Sequence, residues 1–169
     1  MAAVRDARPL AFVITLVAIL VDRLSKLWVR SHVPTGEAIT VIPGFFRITH
    51  VLNTGAAFSL FEGVRSPATV RLVLIGVAVL EIAVVLGFLI KTGRRMSAST
   101  VAFALILGGA VGNLYDRVRL HHVIDFLEVR LVHYHWPDFN VADSCIVVGA
   151  CLLMLEVLRP QPSTTELTA

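Results

Sequence analysis

Four runs of apolar residues, separated by polar segments, dominate the pattern along this chain of 169 residues. The runs lie at about 10–30, 68–90, 97–115 and 141–158. An α-helix rises about 1.5 Å per residue, so each run can cross most or all of a hydrocarbon layer of about 30 Å. The pattern therefore predicts four transmembrane helices.

Two longer segments, 31–67 and 116–140, connect the first run to the second and the third run to the fourth. The stretch 39–60 is rich in β-branched and aromatic residues and is flanked by Pro and Gly, which predicts a short strand pair at the membrane surface. The turn 91–95 holds three basic residues and no acid. The density of Lys and Arg, although not their raw number, therefore places this turn and both termini in the cytoplasm.

The composition indicates an integral membrane protein that forms a single domain over 1–169. Apolar residues make up 56% of the chain and charged residues only 16%, and the mean hydropathy is +0.80. Soluble domains carry about 25% charged residues. No basic cluster is interleaved with aromatic residues, so no nucleic-acid partner is expected. Cys145 and Cys151 lie too far apart along one predicted helix for a disulfide.

Two aspartates at the edges of the apolar runs are the candidate catalytic pair. Asp125 follows the third predicted helix and Asp143 opens the fourth, so both reach the same side of the membrane. Two carboxylates in a partly dry site share one proton, which suits general acid–base hydrolysis of a peptide bond. The helix dipole favours a charged Asp143, so we expect Asp125 to hold the proton, although the pair titrates as a unit.

Other polar residues near these aspartates have either a supporting or a purely structural interpretation. Asn113 and Asn140 can orient a carboxylate or bind a peptide, or they can cap helix ends. Asp22 and Lys26 are four residues apart and can pair on one helix face, either as a helix-end ion pair or in support of the site. The small residues of GGAVG, at 108–112, predict close helix packing.

Three alternatives to a peptidase remain open at this point. A zinc site could use His121, His122, His133, His135 and Asp138, although no helical HExxH frames them, and we predict no metal. A small transporter could use Asp125, Asp143 and Glu81 as a proton relay. A non-catalytic assembly subunit of the membrane would use neither set.

Four motifs in this order resemble those of a known family. They are NTGAAFS (53–59), GGAVGNLYDR (108–117), HHVIDF (121–126) and FNVADS (139–144), preceded by D-x-x-x-K at 22–26. In this combination the chain resembles the bacterial lipoprotein signal peptidases, or signal peptidase II. The resemblance implies an all-α membrane protein with four transmembrane helices and a small extracytoplasmic β-cradle in the bacterial inner membrane.

The resemblance also implies an activity and a set of site residues. Family members are aspartic endopeptidases that cleave diacylglyceryl prolipoproteins on the N-terminal side of the lipidated cysteine, and they are inhibited by globomycin. The catalytic aspartates correspond to Asp125 and Asp143. We expect no cofactor, contact with membrane lipids and a monomer. The remaining motif residues, expected to bind substrate or support the site, are Asp22, Lys26, Asn53, Gly55, Asn113, Asp116, Arg117 and Asn140.

Overall fold

A computed structural model of the chain describes residues 6–55, 66–131 and 134–159. Each of its four helices overlaps one of the apolar runs, and the segments between them contribute a small antiparallel sheet. The elements in chain order are α1 (Arg8–His32), β1 (Ala38–Ile42), β2 (Phe46–Asn53), α2 (Pro67–Thr92), α3 (Ala98–Arg119), β3 (Val123–Leu131), β4 (Tyr134–His135) and α4 (Val141–Val157).

The third helix is the centre of the helical bundle, because α1, α2 and α4 all pack against it. Its glycines permit this close approach. A Cβ on Gly108 would lie 2.7 Å from the Cβ of Ala18 on α1, and a Cβ on Gly109 would overlap the carbonyl oxygen of Ala142 on α4. Neither position has room for a side chain, so the prediction of close helix packing at GGAVG is confirmed.

The four helices differ in how clearly they qualify as membrane spans. Among the described residues, α2 and α3 are long and apolar enough to cross a membrane. Helix α4 has only 17 residues, and α1 carries Asp22, Arg23 and Lys26 in its second half. Helix α2 is apolar around most of its circumference yet largely exposed, as in a helix that faces lipid.

The sheet has the strand order β1-β2-β3-β4, with neighbouring strands antiparallel. The predicted strand pair corresponds to β1 and β2, and positions 56–60 of the predicted β-rich stretch lie outside the described residues. Strands β3 and β4 were not expected from the sequence. Val29 and Val33 at the end of α1 pack against Ile124 and Phe126 of β3, which fixes the sheet on the end of the bundle.

Two placements differ from those expected. Helix α3 continues to Arg119, so Asp116 and Arg117 belong to the end of the helix and not to the connecting segment. Asp125 lies on β3 and not at the end of a helix, because β2 supplies a hydrogen-bonding partner strand and pairs Val51 with Asp125. His121, at φ 70°, forms the turn between α3 and β3.

Candidate active site

Asp125 and Asp143 reach one hydrogen-bonded network by different routes. Phe139 forms an isolated bridge with Leu127 of β3, so the residue that follows it, Asn140, lies beside Asp125. Asn140 is also the N-cap of α4. Its side-chain oxygen accepts a bond of 3.0 Å from the backbone N–H of Asp143, and its own backbone N–H donates to the Asp143 carboxylate at 3.1 Å.

Asn140 connects the two aspartates directly. Its Nδ2 donates to Oδ1 of Asp125 at 2.7 Å, while its backbone donates to Oδ2 of Asp143. The residue is completely buried. Because its Oδ1 is already occupied by the N–H of Asp143, the amide cannot flip without losing both bonds. The cap of α4 therefore also fixes how the two carboxylates face each other.

Asn53 supplies the second donor to Asp125. Its Nδ2 lies 2.8 Å from Oδ2 of Asp125, and its Oδ1 accepts from the backbone N–H of Gly55 at 2.8 Å. Gly55 has φ +93°, and a Cβ there would overlap Leu74 of α2. A glycine is therefore required by both the backbone conformation and the neighbouring helix, and the turn it forms sets the orientation of the Asn53 amide.

Asn113 holds Asp143 from the α3 side. Its Nδ2 donates to Oδ1 of Asp143 at 2.8 Å. Its Oδ1 accepts from Nζ of Lys26 at 3.2 Å and from Nδ2 of Asn140 at 3.3 Å. The lysine ammonium can only donate, so it directs the oxygen of Asn113 toward itself and the amide group toward Asp143.

A buried charge cluster lies behind these asparagines. Nζ of Lys26 is 2.8 Å from Oδ2 of Asp22 and 2.8 Å from Oδ2 of Asp116, and all three side chains are fully buried. Asp22 also accepts from the backbone N–H of Ala142 at 3.0 Å, which joins α1 to the first turn of α4. The Asp22–Lys26 pair is therefore buried and contacts Asn113 through Lys26; its support of a catalytic site stays a prediction.

Arg23 is a member of this cluster that the sequence analysis missed. It forms an ion pair with Asp116 through Oδ1, and its guanidinium stacks over the ring of Tyr115 at 4.4 Å. Two carboxylates thus face two cations, which leaves the buried cluster without net charge. An arginine directly after Asp22 within an apolar run was the available signal, because such a residue needs an acidic partner.

Burial dominates the electrostatics of Asp125. The residue is 2% exposed. Burial raises its pKa from 3.8 to about 6, and the charge of Asp143 contributes in the same direction, whereas the bonds from Asn53 and Asn140 act against it. A carboxyl group with this pKa can hold a proton near neutral pH and release it during a reaction.

Arg117 and the cleft complete the candidate site. Arg117 is partly buried and donates to the backbone oxygen of Asn113 at 3.4 Å. It also interacts electrostatically with the carboxylates of Asp125 and Asp143. A cleft of about 350 Å³ opens beside Asp125, within the ~300–1,000 Å³ typical of ligand sites. Its lining residues are Val51, Leu52, Asn53, Thr54, Asp125, Pro137 and Asp138.

Two of the candidate zinc ligands, His135 and Asp138, contact other side chains. His135 contacts Glu128 at 2.5 Å, and Asp138 accepts from Thr49 at 2.7 Å. Within 6–55, 66–131 and 134–159, no three residues of His, Cys, Asp or Glu are grouped to hold a metal ion. His133, and positions 56–59 of the NTGAAFS motif, lie outside the described residues.

Comparison with known sequences gives a decisive match. The sequence profile of the family described as signal peptidase (SPase) II matches residues 14–159. The chain belongs to the signal peptidase II family. The matched region contains every candidate site residue named above, and the family consists of aspartic-type peptidases.

Curated relatives and solved structures agree with this family. A lipoprotein signal peptidase of Solibacter usitatus is 42% identical over 158 residues, 92% of this chain and 94% of the relative. A second, from Pseudomonas putida, is 40% identical over 151 residues and covers 89% and 87%. Two solved bacterial membrane enzymes, each 27% identical, superpose with TM-scores of 0.80 and 0.77. The first alignment covers 90% of this chain and 95% of the solved chain, and the second covers 89% and 88%. The chain is therefore a signal peptidase of the lipoprotein-processing family with the architecture of a bacterial membrane enzyme.

Proposed function

We propose that this chain removes the signal peptide from diacylglyceryl-modified prolipoproteins by cleaving on the N-terminal side of the lipidated cysteine. Asp125 and Asp143 activate a water molecule for this reaction. The observation that carries the proposal is the pair of bonds that Asn140 donates, one to each carboxylate. These bonds hold two acids from distant parts of the chain in one site.

The environments of the two aspartates suit different roles. Asp143 lies in the first turn of α4, where the helix dipole and the N-cap bonds favour a carboxylate. Asp125 lies in a buried position that favours a carboxylic acid. Asp143 therefore accepts a proton from water as the water oxygen attacks the scissile carbonyl carbon. Asp125 gives its proton to the departing amide nitrogen as the C–N bond breaks, and the pair again holds one proton.

The surfaces of the helices support a four-span arrangement. Besides α2 and α3, helices α1 and α4 present apolar side chains outward: Leu24 is 63% exposed, Val147 60% and Leu155 61%. A lipid environment accommodates such surfaces, whereas water does not. In this arrangement both termini are cytoplasmic, and the sheet lies outside the bundle near the outer face of the inner membrane.

In this arrangement the site lies at the same depth in the membrane as the scissile bond of the substrate. The substrate is a membrane helix that ends at a lipid-bearing cysteine, so the bond lies near the interface. A helical backbone hides its amides, and the peptide must become extended to enter the cleft beside Asp125. A monomer is sufficient for this function, because both aspartates belong to one chain. Globomycin-type cyclic peptides are expected to compete for the same cleft.

Cleavage of a lipidated prolipoprotein peptide by the purified protein tests the proposal. Asp125→Asn and Asp143→Asn should each abolish release of the signal peptide, whereas Glu37→Gln, at an exposed position outside the cleft, should cleave as the parent does. Near-full activity of either aspartate variant would end the assignment. Absence of any product from the parent protein would instead favour the transporter or assembly-subunit alternative.

Addition of excess chelator separates the dyad from the zinc alternative. Cleavage should be unchanged, since the proposed reaction passes its protons only between water, peptide and the two carboxyl groups. Loss of cleavage on chelation, with recovery on addition of Zn²⁺, would make the histidine set the better candidate.

A further inference from the structure

A second cavity lies on the opposite face of the strands that carry the candidate active site. His50 on β2 and Ile124 on β3 line it, whereas their strand neighbours Val51 and Asp125 line the catalytic cleft. Successive side chains of a strand point to opposite faces, so the sheet lies between the two cavities, and they share only Leu52 at their border. The second cavity has a volume of about 590 Å³, which is ample for a small ligand or a headgroup.

The lining of this cavity is cationic and carries no acid. Its residues are Arg30, Val33, Pro34, Thr35, His50, Leu52, Arg119, Leu120, His122 and Ile124. In the described part of the chain, neither Arg30 nor Arg119 forms an ion pair with a carboxylate. The acids nearest to the lining residues along the chain are Glu37, Asp116 and Asp125, and none of them lines the cavity. Asp116 is already paired with Arg23 and Lys26, and Asp125 lines the catalytic cleft.

When protonated, the two histidines would supply hydrogen-bond donors in addition to those of the two guanidinium groups. His50 is 95% buried, and its Nδ1 lies 2.7 Å from the carbonyl oxygen of Val33. A carbonyl oxygen only accepts, so Nδ1 carries a hydrogen, and Nε2 can donate to a further partner only when the imidazole is protonated to its cationic form. Burial lowers the pKa of His122. Asp116 opposes this effect, whereas the nearby Arg30 and His50 add to it. A bound anion would offset this mutual repulsion.

The position of the cavity relates it to the membrane surface. Arg30 and Arg119 stand in the last turns of α1 and α3. Just before them, Trp28 on α1 and Val118 on α3 are 44% and 52% exposed, as expected of side chains that face lipid. Cations at the C-terminal end of a helix also complement the helix dipole. That effect accounts for each arginine separately, but not for their convergence with two histidines on one cavity.

We propose that this cavity binds a phosphate group, through Arg30 and Arg119 with His50 and His122 as additional donors. Guanidinium groups match the geometry of phosphate oxygens and bind them in pairs. The phosphodiester of an anionic phospholipid is one source at this depth, and a soluble phosphate is the other. The inference does not depend on the proposed peptidase activity.

Lipid retention tests the first source. The protein would be prepared in phosphatidylcholine nanodiscs with a small fraction of phosphatidylglycerol, and the bound lipids counted by native mass spectrometry after release. The double variant Arg30→Gln/Arg119→Gln should lose affinity for phosphatidylglycerol by at least about tenfold, the equivalent of one charge-assisted hydrogen bond. The control Arg71→Gln/Arg130→Gln removes the same charge outside the cavity and should retain the lipid as the parent does.

A titration of the histidines tests the second source and needs no variant. The imidazole resonances of the parent protein in neutral detergent are followed by NMR as inorganic phosphate is added. Saturable shifts of His122, with an upward shift of its pKa, support the proposal. If phosphatidylglycerol abolishes these shifts, the lipid is the ligand, and if it does not, a soluble phosphate is. The proposal is overturned if neither phosphatidylglycerol nor inorganic phosphate shifts the His122 resonances. Equal retention of phosphatidylglycerol by the double variant and its control overturns the lipid as the source.

Discussion

The substitution Asp125→Asn should gain stability relative to the parent as pH rises, even though it removes the proposed proton donor. The carboxyl group of Asp125 is buried, and its pKa is raised from 3.8 to about 6. A carboxyl whose pKa is higher in the folded state than in the unfolded state binds its proton more tightly when folded. Its contribution to stability is therefore fully present below the unfolded pKa and is lost as pH rises through the folded one.

The size of this loss follows from the shift. One pKa unit corresponds to about 1.4 kcal/mol, so a rise from 3.8 to about 6 makes the ionised form cost about 3 kcal/mol. Asparagine cannot ionise and escapes this cost. At low pH the parent carboxyl is neutral and its oxygens can still accept the bonds from Asn53 and Asn140, whereas the NH₂ group of the asparagine would face one of these two donors. The variant should therefore be less stable than the parent at low pH, by about 1–3 kcal/mol for the lost bond. Between about pH 4 and about pH 8 the difference should shift by about 3 kcal/mol in favour of the variant.

Thermal unfolding over a series of pH values measures this difference. For a chain of this length, about 3 kcal/mol corresponds to a rise of roughly 6–12 °C in Tm. Glu37→Gln, at an exposed position, reports the effect of removing one negative charge without removing a buried one. The reasoning is refuted if the difference in Tm between Asp125→Asn and the parent does not change with pH, or if it changes in favour of the parent as pH rises.

Three further predictions concern the residues that hold the site together. Lys26→Met should destabilise the fold by about 3–5 kcal/mol, because it leaves two buried carboxylates without their shared cation. Denaturant unfolding measures this, and a loss no larger than that of Lys91→Met, at an exposed position, would contradict it. Gly109→Ala should lower the free energy of unfolding by about 1–3 kcal/mol, because its Cβ would push α4 away from α3. Gly76→Ala, where a Cβ meets nothing within 4 Å, should be neutral or slightly stabilising, and equal Tm shifts of the two variants would refute the packing argument. Asn140→Ala should lower the free energy of unfolding by about 0.5–2 kcal/mol through loss of the N-cap and should reduce cleavage far more than that loss of stability explains; cleavage at the parent rate would show that Asn140 does not position the carboxylates.

The local features of this protein could be predicted from the sequence. Each helix coincides with an apolar run, because a segment long enough to satisfy its own backbone groups needs no partner to become helical. The N-x-x-D spacing from Asn140 to Asp143 places an acid in the first turn of α4, where a helix start favours it. The pairing of Asp22 with Lys26 follows from their spacing of four residues. The roles of these residues in catalysis remain predictions.

Other features depend on contacts between distant parts of the chain, and the sequence did not reveal them. Strand β3 exists because β2 lies beside it, and a strand's partner cannot be read from its own residues. Asp125 was consequently expected on a helix end. The pairing of Arg23 with Asp116 joins residues 93 positions apart.

The sequence by itself thus determined which segments are helical and predicted which residues would carry the chemistry, because helix formation and residue identity are local properties. Only the tertiary structure decided how the side chains face one another. The amides of Asn53, Asn113 and Asn140 each have their oxygen occupied by a different donor, which turns their N–H groups toward the two aspartates. Two of those donors are backbone N–H groups two and three residues away, and only Lys26, which bonds Asn113, comes from another helix. The three asparagines themselves lie on β2, on α3 and at the start of α4, and only the packed fold brings their amides within hydrogen-bonding distance of the two aspartates.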